Sequence, residues 1–214
     1  DRTNGPQSRL SDDEWSRLIT DGGDLNRNWK ERLDNIAVYL QYLKNKNVEV
    51  MFRPLHEMNQ DAFWWGGRSG SQGTRRLYQI THDYLTKTKG LTNLIWVWNL
   101  IDLAGFSDEL VSSYNPGDSY WDVVTLDIYK GGFDPWKYEV MVRASNGKPI
   151  GIGECSVLPS VEILTNQPKW SFFMSWSEET FINTGHGTNT NGDIEAVYNS
   201  DKVLTLDEMK TVLG

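Results

Sequence analysis

Hydrophobic positions recur at helical spacing early in the chain and then give way to short apolar runs. Trp29, Leu33, Ile36, Ala37, Leu40 and Leu43 fall on one stripe, which predicts an amphipathic helix over 29–46. Lys44 and Lys46 suit its C-terminal end, and Asn47 can take a left-handed stop. Upstream, Ser11 followed by Asp12, Asp13 and Glu14 predicts one short helix in an otherwise polar segment. From residue 48 onward the chain alternates. Apolar runs at 48–53, 94–98, 123–128, 149–153 and 171–176 predict five buried strands. Between and after them come predicted helices at about 74–87, 136–145, 159–165 (starting at proline) and 205–212, the last capped by Thr205.

Strand, loop and helix repeated with apolar strands imply an α/β protein with a parallel sheet covered by helices. Both common architectures of that kind place chemistry at the carboxyl ends of the strands. Here those ends carry His56 and Glu57, Trp98 and Asn99, Asp127 and Tyr129, Glu154, then Trp176 and Ser177. Neither GxGxxG nor GxxxxGK[ST] occurs, so a nucleotide-binding doubly wound sheet is disfavoured and a barrel favoured.

Composition narrows the chemistry. A net charge of −8 over 214 residues argues against nucleic acid, and no run of about 18 apolar residues offers a membrane span. One cysteine, Cys155, excludes a disulfide framework, and three scattered histidines offer no metal-ligand spacing, so no metal or cofactor is expected. Ten Trp, nine Tyr and seven Phe exceed what a core of this size needs, which raises the expectation of a sugar ligand. No linker or repeat interrupts 1–214, so the chain reads as a single domain portion.

Glu57 and Glu154 each stop an apolar strand, where a charge gains nothing from packing. In one parallel barrel both would face the same mouth. Glycosidic cleavage needs such a pair: one carboxyl protonates the leaving oxygen while the other attacks or activates water. Two neighbouring carboxylates also drive their pKa values apart, keeping one protonated near neutral pH. The competing reading makes each an ordinary loop residue paired with Arg53 or Lys148.

The stretch Phe52-Arg53-Pro54-Leu55-His56-Glu57-Met58-Asn59, followed by Phe63-Trp64-Trp65-Gly66, resembles the fourth-strand signature of glycoside hydrolase family 26. Thr125-Leu126-Asp127-Ile128-Tyr129, Gly153-Glu154 and Met174-Ser175-Trp176 follow in the family's order, and the likeness covers roughly 28–214. That family contains chiefly β-mannanases on a (β/α)8 barrel. The resemblance implies a retaining endo-β-1,4-mannanase, secreted because its polymer cannot enter a cell. It implies Glu57 as general acid/base and Glu154 as nucleophile, with carboxyls about 5–5.5 Å apart. His56 would bind sugar hydroxyls or orient the acid, and Tyr129 would donate to Glu154. Asp127 would help hold substrate, Trp176 would floor the reacting sugar, and Trp64 and Trp65 would wall the cleft.

Two departures qualify the likeness. Ala62 stands where the family usually has an aromatic residue, which keeps a mixed-linkage glucanase or a xylanase in view. Only five strands are predicted, from the family's fourth onward, and five strands cannot close a barrel. The missing three are expected from a longer chain or a second chain; without them, a non-catalytic carbohydrate-binding fragment is the remaining alternative. Of the other candidates, His82 is expected to be structural within a helix and His186 to lie in a loop at the barrel mouth. Cys155 reads as buried filler, and the Asp-rich loop at 21–25 as an incomplete calcium pattern.

Overall fold

The computed structural model describes residues 5–129, 132–181 and 189–212. The chain divides into two compact units, Asp1–Ile101 with Gly105–Val124, and Asp102–Ala104 with Thr125–Gly214.

The first unit begins with a 3-10 turn at Gly5–Gln7 and α1 (Asp12–Ile19). Ser11 caps α1 through a full capping box, its hydroxyl accepting from the Glu14 N–H while the Glu14 carboxylate accepts from the Ser11 N–H. Next comes α2 (Asp24–Asn45), five residues longer at its start than its apolar stripe predicts; Asn47 then takes φ 56°, the expected left-handed stop. β1 (Val50–Phe52) lies parallel to β2 (Leu94–Ile101), with Val50 opposite Leu94 and Phe52 opposite Trp96. Between them runs α3 (Thr74–Asp83), continued by a π-turn at Tyr84–Thr88. α4 (Asp108–Tyr114), capped by Ser107, follows β2; its seven residues are too few to show a period in the sequence. Leu33, Leu77, Tyr78, Trp98 and Trp121 are fully buried, and the rings of Trp98 and Trp121 meet at 5.3 Å.

One expectation changes here. β1 is not a buried strand: Met51 is 48% exposed, because among the described strands of this unit β1 has β2 on one side only. The Asp-rich loop holds no free acidic cluster, since Asp21 pairs with Lys30 and Asp24 with Arg17.

The boundary between the units falls within β3 (Val123–Ile128), whose six residues are all buried. In the second unit β3 is followed by α5 (Pro135–Ala144) and β4 (Ile150–Cys155), its hydrogen-bonded neighbour. α6 (Val161–Asn166) is capped by Ser160, so it starts after a serine cap and not at Pro159. β5 (Trp170–Ser175) lies parallel to β4, with register shifts along the pair. Within the first shifted stretch, a Cβ on Gly151 would lie 2.5 Å from the Phe172 ring, so the glycine makes room for the aromatic ring. α7 (Ser177–Phe181), α8 (Asn191–Tyr198) and α9 (Leu206–Val212) complete the unit. Thr205 and Glu208 form the expected cap of α9. Among the described residues no helix is long and apolar enough to cross a membrane.

Candidate active site

In the first unit, the chain leaves β1 at Arg53-Pro54 and turns sharply. Leu55 (φ 54°) and Glu57 (φ 50°) both adopt the left-handed region, which costs a non-glycine residue about 1–2 kcal/mol each. Side chains from β2 and the turn hold this conformation. Asn99 Oδ1 accepts the Glu57 N–H at 2.6 Å. Asn59 donates to the Ile101 carbonyl and accepts the Ile101 N–H, both at 2.8 Å. The Gln60 N–H returns to the Glu57 carbonyl at 3.1 Å, closing a turn, and the Gln60 side-chain amide donates to Oε2 of Glu57. The Glu57 carboxyl is therefore a buried, aimed group, only 6% exposed.

The aromatic residues after it divide into two roles. Trp65 donates its indole N–H to the His56 carbonyl at 2.8 Å, and Phe63 stacks on Trp65 at 4.6 Å and lies 4.7 Å from the His56 ring. These two rings brace His56, the acid's neighbour. Trp64 turns the other way, edge-on to Trp29 of α2 at 5.5 Å, with its main chain bonded to the Pro6 carbonyl. Gly66 permits the loop to double back. A Cβ there would lie 2.0 Å from the Gln60 carbonyl oxygen.

In the second unit, Glu154 sits within the last two residues of β4, the strand running one residue past it. It too is 6% exposed, and Tyr129 donates its phenol to Oε2. Tyr129 is tethered in turn, its carbonyl accepting the Ser156 hydroxyl at 3.2 Å. Asp127 is fully buried in β3. Burial pushes the Cys155 thiol up to about 12, helped by the charges of Asp127 and Glu154; the expected buried filler carries no thiolate. The Trp176 N–H bonds to the Cys155 carbonyl at 2.9 Å, which presents a half-exposed indole just beyond β5.

Sequence reasoning missed several supports. Gln60 lies three residues from Glu57, a turn spacing that could have flagged it. Asn189 cannot be read that way: it clasps Ser156, Leu158 and Thr180 by tertiary contact alone. His82 lies in α3 with its ring against Trp96 and Tyr120, as a structural residue does. His186 falls outside the described residues.

Each carboxyl thus has one oxygen held by a neutral donor and little solvent around it, a state suited to passing a proton or attacking a carbon centre.

Comparison with known proteins agrees. The profile of Glycosyl hydrolase family 26 matches residues 10–208. A mannan endo-1,4-beta-mannosidase of Thermothelomyces thermophilus is 33% identical over 97% of this chain and 45% of its own length. One from Bacillus subtilis (strain 168) is 30% identical over 79% of this chain and 50% of its own. The chain spans about half the length of these curated relatives. Among solved structures, GH26A from Muricauda sp. MAR_2010_75 is 36% identical with a TM-score of 0.87, covering 97% of this chain and 67% of that one. A β-mannanase from a symbiotic protist of the termite Reticulitermes speratus, complexed with gluco-manno-oligosaccharide, is 26% identical with a TM-score of 0.79, covering 96% and 62%. The five strands accordingly represent part of a (β/α)8 barrel, as their number predicts.

Proposed function

The chain belongs to glycosyl hydrolase family 26, and we propose that it is the catalytic portion of a retaining endo-β-1,4-mannanase. The observation that carries this reading is the matched state of Glu57 and Glu154: both residues are buried, Glu57 in the turn after β1 and Glu154 near the end of β4, and each has an oxygen held by a neutral donor, Gln60 or Tyr129. Glu154 attacks the anomeric carbon and Glu57 protonates the leaving oxygen, giving a covalent glycosyl-enzyme. Glu57, now a carboxylate, then takes a proton from the water that releases the sugar. That sequence needs the two carboxyls about 5–5.5 Å apart across the sugar. His56, Asp127 and Trp176 contact the sugar in the cleft, and Trp65 supports them through His56. The named relatives act on mannan, which favours mannan as substrate; the small side chain of Ala62, in place of an aromatic, supports tolerance of a decorated chain.

The rest of the barrel, three strands with their helices, is supplied by a preceding segment or by a second chain, as the relatives' greater length suggests. A polymeric substrate places the enzyme outside the cell. The test is sugar release from mannan, mixed-linkage glucan and xylan, with the anomer of the first product followed by NMR. Mannan cleavage with retained configuration, abolished in Glu154→Ala while oligosaccharide binding persists, is expected. Inverted product, or residual hydrolysis by Glu154→Ala within about tenfold of wild type, would overturn the mechanism. Binding without release on all three polymers would make the chain a carbohydrate-binding fragment.

A further inference from the structure

The first unit contains a second concavity that the mechanism does not use. The segment from Gly5 to Leu10, the early turns of α2 and the indole of Trp64 enclose a pocket of about 340 Å³. That lies near the lower end of the ~300–1,000 Å³ typical of small-ligand sites. Resting on the carbohydrate reading above, we infer that this pocket is a second sugar site, taking a short hexopyranose segment of a mannan-type chain.

The lining carries the argument. Pro6, Leu18 and the edge-to-face pair Trp29–Trp64 supply apolar walls of the kind that meet the C–H faces of a pyranose. Trp29 is fixed, because its indole N–H is already bonded to Thr81 Oγ1 at 3.0 Å. Three polar groups at the pocket are unspent. The Trp64 indole N–H, the Asn28 amide and the Arg32 guanidinium make no side-chain hydrogen bond or ion pair among the described residues. A set rich in donors suits hydroxyl oxygens. A single cation in a chain of net charge −8 is poor provision for a strongly acidic ligand.

A similar-sized pocket in the same unit shows the difference. It measures about 320 Å³ between the loop after α1, α2 and α3, but four of its five charges are spent on each other, Lys30 with Asp21 at 2.5 Å and Lys87 with Asp83 at 2.9 Å, and the fifth, Arg76, donates to Gln79. Position adds a second argument. Ring contacts run without a break from Trp29 to Trp64 (5.5 Å), Trp64 to Trp65 (5.4 Å) and Trp65 to His56 (5.4 Å), the residue beside Glu57. A sugar held here would rest on the same loop that aims the acid.

The experiment is a titration of the full chain, ¹⁵N-labelled, with mannobiose, following the indole N–H resonances. Trp64 and Trp29 should move together and saturate, with a Kd of about 1–10 mM. The double variant Asn28→Ala/Arg32→Ala removes two exposed side chains and should keep the native spectrum. It should bind about tenfold more weakly at Trp64 while any response at Trp176 stays as in wild type. No saturable movement of Trp64, or an unchanged Kd in the variant, would overturn the site. The outcome is separable from the hydrolase reading: a Trp64 response without mannan cleavage retains the pocket and makes this chain by itself a carbohydrate-binding fragment, and cleavage without that response retains the hydrolase and overturns the pocket.

Discussion

Gly66→Ala is the substitution on which the geometry of the acid-bearing loop can be tested most directly. Gly66 does not need a left-handed backbone; what forbids a side chain is space. The added Cβ would meet the Gln60 carbonyl oxygen at 2.0 Å and its carbon at 3.3 Å, both main-chain atoms. Restoring ordinary contact requires one backbone to retreat by about 1 Å. The segment that must give is the turn from Glu57 to Gln60, closed by its own hydrogen bond and tied to β2 through Asn59 and Asn99. Overpacking of this kind costs about 2–3 kcal/mol, near the upper part of its usual range. At roughly 2–4 °C per kcal/mol for a chain of this length, Tm should fall by about 5–10 °C. A misplacement of about 1 Å at a catalytic carboxyl should also lower kcat/KM on mannan by roughly 100-fold. Differential scanning calorimetry and initial-rate kinetics read the two effects. Gly147→Ala is the control: it has φ +83° but nothing within 4 Å of the new Cβ, so only a backbone strain of about 1 kcal/mol and no kinetic loss are expected. A Gly66→Ala protein matching wild type in both Tm and kcat/KM would refute the claim that this glycine lets the loop close over Gln60.

Three other outcomes follow from the described contacts. Cys155 should resist a disulfide reagent at pH 8 in the folded protein and react at once in urea. Because its thiol stays protonated to about pH 12 when folded but ionises from about pH 9 when unfolded, stability should fall as pH rises above 9; rapid labelling of the native state would contradict its burial. Lys137, buried between Asp102 (2.9 Å) and Asp134 (3.0 Å), is depressed by desolvation but raised further by those two partners, for a net rise. Its contribution to stability is therefore complete below about pH 10.4 and is lost as pH climbs through the folded value. Lys137→Met should cost about 3–5 kcal/mol by stranding Asp102, with Asp102→Leu restoring part of it; urea titrations that show no loss would refute the pair's role. Ala62→Trp should narrow the substrate range toward undecorated mannan, measured as the ratio of rates on plain and galactosylated polymer, and an unchanged ratio would remove the vacancy as its cause.

Much of this protein is legible from periodicity and punctuation. Strand β3 and the helix caps at Ser11 and Thr205 sit where pattern and residue type place them, because a strand buried on both faces and an oxygen-bearing cap are local requirements. The acidic residues were legible for a related reason: a charge ending an apolar run has no packing purpose, so Glu57 and Glu154 stand out before any fold is known. Short helices such as α4, α7 and α8 were not, since five to eight residues give too little repeat to register. The exposure of β1 was not either, because an edge strand and a central one can share the same apolar letters. Above all, tertiary structure decided how the carboxyls are held. The left-handed backbone at Glu57 is intrinsically unfavourable, and contacts spanning 42 residues, Glu57 to Asn99 and Asn59 to Ile101, help to stabilise it. The phenol of Tyr129 reaches Glu154 across 25 residues in the same way. Residue types can announce an acid; the orientation of its oxygens depends on neighbours brought close by folding, and on which donors those neighbours still have free.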